Sequence, residues 1–128
     1  MQQHTGQHLL SSIFYNLYNG ETVGFHIGES SSTIDVTIKD LNYEMVDKIE
    51  TILNKIIYSN FDIKSYYINQ SQSESIPLRK TPPKNNNIRI VEIDGIDYSP
   101  CCGTHHRKTG EIGIIKIIKW DKYKGNTR

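Results

Sequence analysis

Four residues, two near each end of the chain, have the types and the spacing of a metal site. His4 and His8 are four residues apart, and Cys101 and His105 repeat that spacing near the C-terminus. On a helix, residues at i and i+4 lie on one face, so both imidazoles can reach a common ion. Thiolate and neutral imidazole are ligands that zinc prefers, and zinc takes four of them tetrahedrally. The two pairs together predict a zinc site, whereas either pair alone would fit a polar helix face or a buried free cysteine.

The residues around the two pairs form two longer motifs. The first is His-Thr-Gly-Gln-His-Leu-Leu from His4, and the second is Cys-x-Gly-Thr-His-x-x-x-Thr-Gly-Glu-Ile-Gly from Cys101. Together they resemble the editing domain of alanyl-tRNA synthetases and the free-standing AlaX-type trans-editing proteins, over residues 4 to about 118. The resemblance implies that the zinc ligands are His4, His8, Cys101 and His105. It also implies an aminoacyl-tRNA deacylase that hydrolyses the ester joining serine, or glycine, wrongly to alanine tRNA.

The second motif departs from the family pattern at two positions. Cys102 stands where the family has the first of two glycines, and it could compete with Cys101 as a ligand. The Cys-x-x-x-His spacing favours Cys101. His106 stands where the family has valine or a similar residue, and we expect this additional imidazole to be exposed.

Length, charge and cysteine content limit the class of protein. A chain of 128 residues suits one domain with one core. The formal net charge of +1 creates no broad basic field, so nucleic acid would have to bind through local patches. Two adjacent cysteines cannot easily pair, so we expect no disulfide framework, and a thiol-bearing metal site fits a reducing cytosol. Without a bilayer-length apolar run or a signal peptide, we predict a cytoplasmic protein that uses no membrane.

The segments between the motifs predict an α+β fold. Apolar residues at helical spacing predict two principal helices, over about 5–18 and 43–58. Alternating or strongly apolar runs predict strands over 23–27, 33–38, 61–68, 88–93, 96–99 and 112–120. Asp94-Gly95 marks a hairpin that would deliver Cys101 at a strand end. Because the strands mostly follow one another without helical crossovers, we expect a mainly antiparallel sheet with the helices packed on it. The resemblance implies the same architecture, that of the second additional domain of threonyl- and alanyl-tRNA synthetases.

We expect a single domain over residues 1–128, with a polar, frayed tail at 121–128. Only three residues precede His4, and relatives within the resembled family carry a small β-rich domain upstream. We therefore expect that such a domain is absent from this chain. Self-association into a homo-oligomer is left open.

A long polar loop at 69–87 carries a cluster of cations, Arg79, Lys80 and Lys84. Long loops are usually functional or disordered. The cluster predicts contacts with tRNA phosphates, and a solvated linker is the alternative.

Several residues in or beside the motifs could take part in ester hydrolysis. Gly103, Thr104 and Gly110 could bring backbone N–H groups close to a developing oxyanion, or they could form a tight turn. Glu111 could accept a proton or support a ligand imidazole, and a cap or an ion pair at the sheet edge is the alternative. Gln7, between the two histidines, could face the substrate ester.

Selection of serine over alanine requires a group that hydrogen-bonds the serine hydroxyl. The family often has threonine or glutamine on the strand after the first helix, and an ungapped count from His8 places Phe25 there. Phe25 cannot form that hydrogen bond. We therefore predict that His26 reads the hydroxyl, with Thr5 or Thr22 as alternatives.

Two other functions are compatible with the sequence. One is a tRNA-binding module whose zinc is purely structural, because four protein ligands close the metal as in structural sites. The other is an editing domain of the threonyl-tRNA synthetase type. The Thr-Gly-Glu-Ile-Gly extension of the second motif favours the alanyl type.

Overall fold

The first helix carries the N-terminal motif. In a computed structural model of the chain, α1 spans Gln2–Tyr18 and buries Leu9, Ile13 and Phe14. The helix ends where Asn19 takes a left-handed conformation, with φ of 53°. The predicted helix is confirmed, and it begins three residues earlier than expected. Both histidines of the first motif therefore lie on helical backbone. The structure describes residues 2–28, 31–38, 40–73, 76–79, 87–101, 103, 105–113, 115–123 and 126–127.

The second helix, α2, spans Tyr43–Ser59 and is also confirmed. The Asn42 side chain accepts a hydrogen bond from the Met45 amide at 2.9 Å, which caps the first turn. At the other end, left-handed Asn60 closes the helix with a bond from its amide to the Ile57 carbonyl. One apolar stripe of α2 is buried, and it consists of Val46, Ile49, Leu53 and Ile57.

The strands form two antiparallel sheets. The first has the order β1-β2-β7-β6 and the second has the order β3-β4-β5. Their bounds are β1 Thr22–Ile27, β2 Ser32–Val36, β3 Ile63–Ile68, β4 Ile88–Ile93, β5 Asp97–Pro100, β6 Lys122–Tyr123 and β7 Asn126–Thr127. A short helix, α3, lies at Gln70–Ser73, and a 3₁₀ helix lies at Thr109–Ile112. The predicted α+β, mainly antiparallel class is confirmed, with the strands divided between two sheets.

Two predictions about the C-terminal quarter are wrong. The strand expected over 112–120 does not form in the described residues, because α2 side chains bind the backbone that a neighbouring strand would have bound. Asn54 bonds both the amide and the carbonyl of Ile115, at 3.0 Å and 2.9 Å, and Glu50 accepts from the Ile117 amide. The tail expected to fray instead contributes β6 and β7, and Thr127 pairs with Val36 of β2.

The larger of the two hydrophobic clusters among the described residues joins α1 and α2 to both sheets. It includes Leu9 and Phe14 of α1, Leu53 of α2, Val36 of β2 and Val91 of β4. Burial of such side chains supplies most of the stabilisation of a domain of this size. The core therefore fixes α1 against the end of the β4–β5 hairpin, where the two sequence motifs meet.

The β4–β5 hairpin confirms the predicted turn and positions the second motif. Gly95 has a φ of 71°, a left-handed conformation that glycine adopts without strain. The pairing continues past β5, since the Cys101 amide donates to the Arg89 carbonyl at 3.1 Å. Cys101 is thereby held at the strand end, as predicted. Among the described helices, none has the length and apolar character needed to cross a bilayer.

Candidate metal centre

The two residue pairs at the ends of the sequence meet in one cluster. The potential ligand atoms of His4, His8, Cys101 and His105 all lie within 4.8 Å of one another. The His4 ring centroid is 4.8 Å from that of His8 and 4.3 Å from that of His105. The Cys101 sulfur is 3.6 Å from Nε2 of His4. The structure thus brings together every residue predicted as a metal ligand.

Burial favours the neutral form of one ligand imidazole. The pKa of His105 is lowered to about 4, first by burial and then by the positive charges of His4 and Arg89 nearby. At neutral pH this imidazole is uncharged and has a lone pair to give to a metal.

Thr5 fixes the orientation of the same imidazole. Its fully buried hydroxyl oxygen is 3.1 Å from Nδ1 of His105 and accepts a hydrogen bond from the His106 amide at 3.2 Å. Nε2 of His105 is buried and has no hydrogen-bond partner among the residues that the structure describes. A metal on Nε2 would leave the ring proton on Nδ1, where it donates to Thr5. This buried nitrogen, within a set of nitrogen and sulfur donors, fits zinc.

Gly103 and Arg89 shape the loop that carries Cys101. A Cβ atom on Gly103 would lie 2.1 Å from Cε1 of His4, so only glycine fits against that ring. The Gly103 amide donates to the Cys101 sulfur at 3.3 Å. Arg89 Nη1 donates to the carbonyls of Cys101 and Gly103, at 3.0 Å and 2.6 Å. The Gly103 N–H, predicted to contact substrate, is thus directed to the ligand sulfur. Sequence reasoning missed Arg89, because nothing in its local pattern distinguishes it from a surface cation.

The end of the second motif attaches the loop to α2. Thr109 donates from its hydroxyl to the Ile56 carbonyl at 2.9 Å and accepts from the Phe61 amide at 2.8 Å. The Gly110 amide donates to Oδ1 of Asn60 at 3.0 Å. This corrects the prediction that the Gly110 N–H faces an oxyanion, because that N–H already has a protein partner.

Glu111 lies next to the extra histidine. Its Oε2 is 2.9 Å from Nδ1 of His106. His106 was expected to be exposed, but it is half-buried. The Glu111 carboxylate holds its ring, and the Thr5 hydroxyl holds its backbone amide. Glu111 therefore supports the neighbour of a predicted ligand rather than a ligand itself.

The wall of the cluster is formed by β1. The Phe25 ring lies nearly parallel to that of His4, with centroids 6.3 Å apart, and its side chain is half exposed. Phe25 and His26 are consecutive in an undisturbed part of the β1–β2 register, so their side chains point to opposite faces. The prediction that His26 faces the site is therefore wrong: strand alternation turns it away.

Of the predicted cationic cluster, the structure describes Arg79. Arg79 is buried, with its side chain 5% exposed, and forms an ion pair with Asp97 at 2.9 Å. It also donates to the Ser99 hydroxyl at 3.3 Å. This corrects the prediction for Arg79, because its guanidinium already pairs with protein groups and is not available to tRNA phosphates. Lys80 and Lys84, the catalytic candidate Thr104 and the alternative ligand Cys102 lie outside the described residues.

Comparison with known proteins gives the same class as the motifs. Residues 88–128 match the family model described as threonyl and alanyl tRNA synthetase second additional domain. The chain is 38% identical over 128 residues to alanyl-tRNA editing protein AlaX-L of Pyrococcus horikoshii, covering 98% of this chain and 31% of that protein. It is 31% identical over 129 residues to Aarsd1-B of Xenopus laevis, again covering 98% of this chain and 31% of that protein.

A shorter relative extends this similarity. The chain is 30% identical over 135 residues to alanyl-tRNA editing protein AlaX-M of Methanosarcina acetivorans, covering 100% of this chain and 55% of that protein. The resemblance to AlaX-type editing proteins that the two motifs predict is thus confirmed. The chain spans 31% to 55% of the length of these relatives.

Proposed function

We propose that this protein is a zinc-dependent aminoacyl-tRNA deacylase that hydrolyses Ser-tRNA(Ala), and also Gly-tRNA(Ala). The observation that carries the proposal is the cluster of three imidazoles and one thiol, assembled from both ends of the chain. The relatives named as alanyl-tRNA editing proteins support the reaction class and tRNA as the partner.

His4, His8, Cys101 and His105 would hold the metal. A zinc ion at this site supplies Lewis acidity, which polarises an ester carbonyl and makes water a better nucleophile near neutral pH. The chain supplies the positioning. Thr5 orients the His105 ring through Nδ1, and Arg89 holds the Cys101 loop through two carbonyls.

We infer that the aminoacyl-adenosine end of the tRNA binds beside His4 and Phe25. Phe25 exposes half of its side chain beside His4, and an exposed aromatic ring can stack on a nucleobase or cover the aminoacyl group. We propose that Lys80 and Lys84 contact phosphates of the tRNA backbone. Because such contacts are electrostatic, the affinity for tRNA should fall as the salt concentration rises. We place the activity in the cytoplasm, where a free thiol ligand stays reduced.

A tRNA-binding module with a structural zinc is the second candidate. The closeness of four protein donors favours it, because structural zinc sites are closed by four protein ligands. In that case the metal would stabilise the junction of α1 with the Cys101 loop and would not support hydrolysis.

A deacylation assay with matched cysteine variants separates the two candidates. Purified protein is incubated with Ser-tRNA(Ala) and Ala-tRNA(Ala), with and without a chelator. The proposal predicts loss of Ser-tRNA(Ala), retention of Ala-tRNA(Ala), and inhibition by chelator. Cys101→Ala should lose both zinc and activity, whereas Cys102→Ala, a change at the adjacent cysteine, should keep both. Zinc loss in Cys102→Ala alone would shift the ligand assignment by one residue.

A further inference from the structure

Aromatic and polar contacts join α1 to β1, beginning beside the four-residue cluster. At one end the His4 and Phe25 rings are stacked, and at the other the Thr22 hydroxyl donates to the Ser11 hydroxyl oxygen at 2.7 Å. The eight residues from His4 to Ser11 span about 10 Å of helix, and the four residues from Thr22 to Phe25 span about the same length of strand. A bulge between Thr22 and Gly24 lets both β1 side chains reach α1.

Gln7 lies between these two ends. It is three residues after His4 and four before Ser11, so it belongs to the same helix face as both. Its side chain is only 5% exposed. This contact between α1 and β1 therefore contains a buried carboxamide between the four-residue cluster and the hydroxyl pair.

The contacts of Gln7 use only one end of this carboxamide. Nε2 donates to the Ser11 hydroxyl oxygen at 2.8 Å, and that oxygen also accepts from Thr22. A hydroxyl oxygen has two acceptor positions, and Gln7 and Thr22 fill both. Oε1 of Gln7 is buried and has no hydrogen-bond partner within the described ranges. A buried acceptor without a partner is unfavourable in a native protein and often marks a place where a ligand supplies the donor.

We propose that Oε1 of Gln7 accepts a hydrogen bond from the side-chain hydroxyl of the seryl group, which makes Gln7 a specificity-determining residue. This inference rests on the proposed deacylase function. A hydroxyl is the donor that fits, because Gln7, Ser11 and Thr22 are neutral. An α-ammonium buried among them would have no counter-charge. Alanyl and glycyl groups have no side-chain donor and would leave Oε1 unpaired.

The test compares two substrates that differ in this hydroxyl. Zinc-loaded parent and Gln7→Met proteins are assayed with Ser-tRNA(Ala) and Gly-tRNA(Ala). Methionine keeps the length of the side chain and removes both polar atoms. We expect kcat/KM for the seryl ester to fall by about 10-fold to 100-fold, with the glycyl ester changed by less than about 3-fold. Gln72→Met, at an exposed glutamine of α3, is the control and should change neither value.

Two further measurements, the zinc content of each variant and its binding of substrate analogues, distinguish the other possible results. If kcat/KM fell equally for both esters while the zinc content stayed the same, Gln7 would act at the ester group that both substrates share, and the hydroxyl assignment would be overturned. An unchanged kcat/KM for both esters would overturn it as well. If the parent hydrolyses neither ester, the proposed function fails, and the inference is then judged by the binding of non-hydrolysable 3′-seryl and 3′-glycyl aminoadenosine. A seryl preference of about tenfold that Gln7→Met abolishes would support it. Equal binding of the two analogues by the parent would overturn it.

Discussion

Gly103→Ala is predicted to remove zinc while leaving the fold intact. The added Cβ would lie 2.1 Å from Cε1 and 2.7 Å from Nδ1 of His4. Carbon atoms in contact stay about 3.5–4.0 Å apart, so the imidazole must retreat by roughly 1 Å or more. Ligand distances in metal sites hold to within about 0.2 Å, and a shift of this size takes His4 out of the ligand set.

Mutation of a residue that hydrogen-bonds a metal ligand typically lowers metal affinity by about 10–100-fold, and the loss in Gly103→Ala should be at least as large. Competition with a chromophoric chelator measures it. Since His4 is only half-buried and its ring can move without displacing backbone, the metal-free variant should unfold at nearly the same temperature as the metal-free parent.

Gly6→Ala, in the first motif, is the matched control. A Cβ at Gly6 would meet Ile115 at 3.5 Å, an ordinary contact. Alanine is also the better helix former by about 1 kcal/mol, so this variant should keep zinc and gain stability. Parent-like zinc affinity in Gly103→Ala would refute the arrangement of His4 against the Cys101 loop.

Three further predictions follow from individual contacts. Thr5→Val, which removes the hydroxyl next to His105, should lower zinc affinity by about 10–100-fold in the same competition assay, and Thr5→Ser should restore it; unchanged affinity in Thr5→Val would contradict its supporting role. Arg79→Met should cost about 3–5 kcal/mol in urea unfolding because it removes the cation that pairs with buried Asp97, and a second change of Asp97 to Leu should recover most of that loss; a cost below about 1 kcal/mol would contradict the structural role. Burial, and after it a hydrogen bond to a carboxylate, raises the pKa of Tyr66 from 10.0 to about 12. The neutral phenol therefore stabilises the folded state below pH 10, and this stabilisation is lost as the pH rises to about 12. Tyr66→Phe should abolish that alkaline decline in unfolding free energy, and an identical decline in both proteins would rule it out.

The helices and the four-residue cluster were predictable because each leaves a direct pattern in the sequence. The apolar stripe of α2 recurs at helical spacing, and its cap at Asn42 is a local signal. The ligand pairs have one spacing at both ends of the chain, and the hairpin signal at Asp94-Gly95 placed Cys101 at a strand end.

The wrong predictions concern residues whose structure depends on distant partners. Residues 112–120 have strand composition, but Asn54 of α2 satisfies the Ile115 backbone from 61 positions away in the sequence. The surroundings of Arg79 suggested an exposed loop, whereas its partner Asp97 lies on β5. The side of the sheet to which His26 points depends on how side chains alternate along β1. A bulge in β1 resets this alternation, and an ungapped count along the sequence cannot locate the bulge.

The central claim is that a metal held by the four-residue cluster supports hydrolysis of a seryl ester. Its most direct test is a titration of the metal-free protein with zinc, in which serine release from Ser-tRNA(Ala) and the circular dichroism spectrum are followed together. The proposed deacylase should gain activity in proportion to added zinc, reach a plateau at one equivalent, and keep its helical signal throughout. Serine release that is already maximal without zinc, or that is absent at saturating zinc, would contradict the claim.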